Sequence, residues 1–77
     1  MALDATSYSR LKILGFLRDR GGSCNDLEWK GFDIGSVHLD PYMEDLKRQG
    51  YVLHKNDTYF LTDSGKQEII LLESHPN

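Results

Sequence analysis

The chain has a single cysteine, Cys24, only two prolines, and no apolar run approaching the roughly 20 residues that span a bilayer. One cysteine excludes an internal disulfide and argues against a small secreted scaffold. The stretch Met1 to Arg10 lacks the basic-then-apolar order of a signal peptide. Bases are scarce, nine against twelve acids for a net charge of −3, which excludes coating of nucleic acid by bulk charge. There are no internal repeats and no low-complexity tracts. These absences lead to the expectation of a soluble cytoplasmic protein.

Chemistry-bearing clusters are missing as well. Cys24, His38, His54 and His75 are scattered, with no short spacing that would suit a metal. Nothing in the local sequence sets a general base beside Cys24, as a nucleophile would require. Gly21-Gly22 and Gly31 do not form a phosphate-cradling loop after a strand. No catalytic residue, metal or cofactor is expected, and an enzyme is not the reading.

What remains is an ordinary folded chain of 77 residues, 39% hydrophobic and 27% charged, enough for one domain. The expected division is a lead-in over 1–6, a domain over 7–74 and a tail over 75–77. Leu11, Leu14 and Leu17 recur three apart between Ser7 and Arg20, with Tyr8 upstream, and predict an amphipathic helix ended by Gly21-Gly22. Ile13 and Phe16 widen its apolar face toward a second surface. Ser23 and Asn25 are candidate caps for a short second helix through about Lys30, with Leu27 inward and Gly31 closing it. Phe32 and Ile34 read as apolar anchors in the following turn.

Leu39, Tyr42, Met43 and Leu46 mark a third helix ended by Gly50. Its start is open between Asp40-Pro41, as cap and first helical residue, and a looser turn from Ser36. Two β-prone runs, 51–54 and 59–62, flank Lys55-Asn56-Asp57-Thr58 and read as a hairpin pairing Val52 with Leu61 and Leu53 with Phe60. Thr62 or Asp63 then caps a last helix through about Glu73. Leu11, Leu14, Leu17, Leu27, Leu46, Val52 and Leu61 are the expected core. The fold class is mainly α with a small β-hairpin.

Two stretches carry a resemblance. Residues 39–52, Leu-Asp-Pro-Tyr-Met-Glu-Asp-Leu-Lys-Arg-Gln-Gly-Tyr-Val, resemble the third helix and first wing strand of winged-helix transcription regulators, the PadR-like branch being nearest. Residues 59–65, Tyr-Phe-Leu-Thr-Asp-Ser-Gly, are similar to the stretch that closes the wing in many PadR-, ArsR- and MarR-type proteins. The resemblance implies a winged helix: three helices, a two-stranded wing and a C-terminal helix. It implies double-stranded DNA as partner, with the third helix in the major groove. By position Ser36, His38, Lys47 and Arg48 would then read or grip DNA, with Lys55 and Asn56 at the wing. It also implies a homodimer through the first and last helices, for which Ile13, Phe16, Ile69 and Leu72 are the candidates.

Charge supports a different class of function. Residues 22–46 hold six acids and one base, whereas a DNA-reading face should neutralise phosphates. The second reading is therefore a protein-interaction module that docks through its acidic helices, with Glu44 and Asp45 as candidates. Trp29 is either packed on the first helix or an exposed anchor for a partner. Leu53 and Phe60, on the far side of the hairpin from Val52 and Leu61, are candidates for a covered interface.

Overall fold

The computed structural model describes residues 5–35 and 39–74. Four helices and a small sheet follow in the order α1 (Ala5–Asp19), β1 (Ser23–Asn25), α2 (Asp26–Gly35), α3 (Asp40–Gln49), β2 (Val52–Lys55), β3 (Thr58–Leu61) and α4 (Asp63–Glu73). The first helix begins at Ala5, two residues ahead of the expected domain start; residues 1–4 and 75–77 lie outside the described residues. No helix of the described residues is long and apolar enough to cross a membrane.

The sheet has three antiparallel strands in the order β1-β3-β2, so one strand was not anticipated. β1 is only three residues long and interrupts no obvious pattern in the sequence. It exists because Ser23, Cys24 and Asn25 lie opposite Phe60, Tyr59 and Thr58 of a strand far along the chain. Gly21 and Gly22, with φ of 83° and 102°, reverse the chain out of α1 to reach that edge. The hairpin register is the expected one, Val52 opposite Leu61 and Leu53 opposite Phe60. Its connection is tighter than the four residues expected. Lys55 pairs with Thr58, leaving Asn56 and Asp57 at φ of 52° and 59°, the two-residue turn that Asn and Asp tolerate best after glycine.

The core lies between α1 and the other elements: Ile13, Leu14 and Leu17 from α1, Met43 and Leu46 from α3, Val52, Tyr59 and Leu61 from the hairpin, and Ile69 from α4. Leu11 is half-buried against it. Leu27 is not core at all but 80% exposed. It sits two residues from Trp29, roughly opposite it on the helix, and only one of the two can face inward. Trp29 takes that place, 4% exposed, because the larger ring removes more apolar surface from water.

The second helix also runs through Gly31 to Gly35 rather than ending there. A mid-helix glycine costs about 1 kcal/mol, less than the burial gained by holding Trp29 and Phe32 on one helical face. Asn25 caps it as expected: its Oδ1 accepts from Glu28 N–H at 2.8 Å, and its own N–H donates to Glu28 Oε1 at 2.9 Å.

The third helix starts with Leu39 as N-cap and Asp40-Pro41 in its first turn, one residue earlier than the Asp40 cap, one of the two starts the sequence leaves open. Asp33, from α2, accepts the Asp40 backbone N–H at 2.7 Å. Gly50 ends the helix at φ 85°, and Tyr51 N–H returns to Leu46 O at 3.0 Å. A partly buried ion cluster then joins three helices. Arg10 of α1 donates to Glu68 of α4 at 2.7 Å and lies 3.5 Å from Asp45 of α3. Burial opposes the charged Arg10 guanidinium, but the hydrogen bond and charge of Glu68, with Tyr51 and Asp45, raise its pKa above the ordinary value.

Candidate functional site

The helical stretch 40–49 turns its apolar side inward through Met43 and Leu46, so Asp40, Pro41, Glu44 and Arg48 face solvent. Three of these recur four apart as acid, acid, base, forming one stripe. Arg48 lies 3.8 Å from Asp45, and Lys47 Nζ lies 2.9 Å from Glu44 Oε1. Both candidate bases of α3 are thus balanced by an acid one turn earlier. Lys47 is half-buried, its ammonium 5.9 Å from the centre of the Tyr59 ring. Lys55 and Asn56 are exposed at the hairpin turn. Ser36 and His38 lie outside the described residues.

Glu44 and Asp45, paired by the sequence as a docking face, have different surroundings. Glu44 is exposed, whereas Asp45 is half-buried between Arg10 and Arg48. Its carboxylate already serves the joint between α1 and α3. Of the apolar interface candidates, Ile13, Trp29 and Ile69 are core residues at 0%, 4% and 2% exposure and offer no surface to a partner. Phe16 turns toward α2: it stacks on Phe32 with ring centres 4.0 Å apart, and Arg20 sits 5.5 Å over the Phe16 ring. Leu72 is half-buried. Leu53 and Phe60 do form an open cross-strand pair, 53% and 40% exposed. Ile70 and Leu71 of α4 are exposed as well.

A cluster not anticipated from the sequence lies on the inner face of the hairpin. His54 of β2 stacks on its cross-strand neighbour Tyr59, centres 4.1 Å apart and planes at 18°. His54 Nε2 is 2.8 Å from Asp26 Oδ1 at the start of α2. Trp29 packs on Tyr59 and donates its indole N–H to Asp40 Oδ1 at 3.0 Å. Burial first, then the carboxylates of Asp26, Asp40 and Glu44, push the Tyr59 phenol from its ordinary 10.0 up to about 12. The only sequence signal for this cluster was strand alternation, which sets His54 on the same face as Val52.

Cys24 is buried in β1, and burial pushes its thiol up against the pull of Arg20, which disfavours the reactive thiolate. Among the described residues no three His, Cys, Asp or Glu side chains stand together as a metal site.

No family model matches the sequence, and no curated protein matches it. The fold is similar to the crystal structure of Bacillus subtilis PadR, with a TM-score of 0.74 and 24% sequence identity. The likeness covers 100% of this chain and 47% of that one, so this chain spans about half the length of its structural neighbour. Of the three regulator families named from the sequence, the likeness bears on PadR. The chain therefore has a mainly helical fold, with four helices and a three-stranded antiparallel sheet among the described residues, similar to the PadR winged helix.

Proposed function

We propose that this chain is a winged-helix DNA-binding module of a transcription regulator, with α3 as the reading helix and the β2–β3 hairpin as the wing. The observation that carries this reading is the PadR-like fold, with exposed Arg48 on α3 and exposed Lys55 and Asn56 at the hairpin turn. Arg48, Lys47 and Lys55 would meet phosphate, and Asn56 the backbone beside it. Ser36 and His38, ahead of α3, are the candidates for base edges. The acids beside Lys47 and Arg48 do not forbid this. Each pair keeps an exposed member, Glu44 in one and Arg48 in the other, and surface pairs of this kind are worth about 0–1 kcal/mol, so exchanging a carboxylate for a phosphate costs little.

The test is binding to a mixed-sequence duplex over a range of salt. Three phosphate contacts per chain give a slope of about −3 in log K against log salt. Changing Lys55 or Arg48 to Ala should weaken all duplexes alike and remove about 1 from that slope. Absence of binding at low salt would overturn the reading.

One observation favours the second reading, a protein-interaction module. Asp40 and Glu44 occupy most of the exposed stripe of α3. Under that reading Glu44→Gln weakens the protein partner, mostly through the on-rate, whereas under the DNA reading it strengthens the duplex complex by removing repulsion. The homodimer proposed from the sequence now rests on exposed Ile70 and Leu71, with half-buried Leu72 beside them.

A further inference from the structure

We infer that His54 is a positioning residue that latches the hairpin onto the start of α2 and so holds Lys55 and Asn56 in place for the nucleic-acid backbone. The inference rests on the DNA reading above. β2 is an outer strand of the sheet, paired along one side with β3. At its near end Tyr51 N–H is fixed to Leu46 O of α3. At its far end the chain enters the Asn56-Asp57 turn, where β1 supports β3 through Asn25 opposite Thr58 but no strand covers the outer side of β2.

Asp26 supplies the restraint there, and it does so twice. Its backbone N–H donates to Asp57 O at 2.9 Å, and its carboxylate faces His54 Nε2 at 2.8 Å. A carboxylate only accepts, so the ring nitrogen carries the hydrogen of this bond. Stacking on Tyr59 fixes the plane of the imidazole and aims Nε2 at α2. Tyr59 is itself buried against Trp29, so the support behind His54 is rigid. The charged and titratable groups that face Tyr59, on which His54 stacks, are Asp26 from α2, Asp40, Glu44 and Lys47 from α3 and Cys24 from β1.

The residue after His54 is Lys55, the candidate phosphate contact of the wing. A base held in advance loses less freedom on binding than one on a loose hairpin end. Removing the latch should therefore act on DNA through Lys55, beyond any loss of stability.

The experiment compares His54→Ala, His54→Gln and Lys55→Ala with the parent. Amide exchange of residues 53–58 in His54→Ala should speed up about tenfold while α1 core amides stay protected. His54→Gln, whose amide N–H can still reach Asp26, should recover part of that protection. On duplex DNA, His54→Ala should weaken binding with the salt slope kept, whereas Lys55→Ala lowers the slope by about 1, and adding His54→Ala to Lys55→Ala should cost nothing further. Unchanged hairpin exchange in His54→Ala overturns the latch, and so do fully additive His54 and Lys55 effects. If the parent protein binds no DNA, the DNA reading fails, and the exchange data alone then decide whether His54 holds the hairpin.

Discussion

Gly65 rests against the backbone carbonyl of Tyr51, so closely that a Cβ in its place would overlap that oxygen and the Leu61 side chain. Around this contact Thr62 makes four bonds, one of them from Lys66 N–H to its carbonyl at 3.0 Å. Its N–H donates to Tyr51 O at 3.1 Å, its hydroxyl donates to Gly50 O at 2.7 Å, and its oxygen accepts Gly65 N–H at 3.0 Å. The Leu61-Thr62-x-x-Gly65 stretch that resembled a wing closure is thus a joint between the end of α3, the hairpin and α4.

Gly65→Ala should destabilise the fold by about 1–3 kcal/mol through overpacking. Alanine's better helix propensity, about 1 kcal/mol, does not offset a clash with backbone. Urea denaturation reads the difference, and an unchanged midpoint would mean that α4 can shift away.

Leu61→Ala should cost about 2–4 kcal/mol and Val52→Ala about 1–3 kcal/mol, from lost transfer energy and residual cavity. Leu27→Ala, on the same assay, should stay within about 0.5 kcal/mol because its side chain lies in water. A loss at Leu27 as large as that at Leu61 would mean that α2 turns Leu27, not Trp29, toward the core.

Arg10→Ala should cost about 1–3 kcal/mol, because it leaves Glu68, 9% exposed, without its partner. The double variant Arg10→Met, Glu68→Met should recover most of the loss, since two apolar side chains need no partner. Thermal melts of Arg10→Met, Glu68→Met and the double variant form the cycle, and strict additivity would exclude the pair as a unit.

Stability should fall between pH 10 and pH 12 through Tyr59. Its phenol titrates at 10.0 when unfolded and at about 12 when folded. The folded state therefore keeps its proton while the unfolded state gives it up. That contribution is complete below pH 10 and is lost as pH rises through the folded value. Absorbance of tyrosinate should show a late step that Tyr59→Phe removes, and its absence would mean that the phenol is open to solvent.

Ile70→Glu together with Leu71→Glu should leave the fold intact, since both side chains are exposed, and should abolish any dimer built on α4. Sedimentation at high micromolar concentration distinguishes the outcomes. A monomeric parent protein would remove the proposed dimer altogether.

Local patterns in the sequence determined the elements whose signals are self-contained. The α1 and α3 helices, the Asn25 cap and the Gly50 stop depend on residues within one or two turns of each other. The hairpin register was legible for the same reason: a slip by one residue would turn Val52 and Leu61 outward. Tertiary structure alone decided whatever depends on distant partners. β1 became a strand because β3 offered it an edge. Trp29 rather than Leu27 turned inward because Tyr59, from the hairpin, was there to receive it. Asp45 became a joint because Arg10, from another helix, reached it. His54 acquired a partner only when folding brought Asp26 beside it, 28 residues away in sequence. Periodicity reports which face of an element is apolar, but the identity of the opposing residue is set by how the elements pack, and that information is non-local.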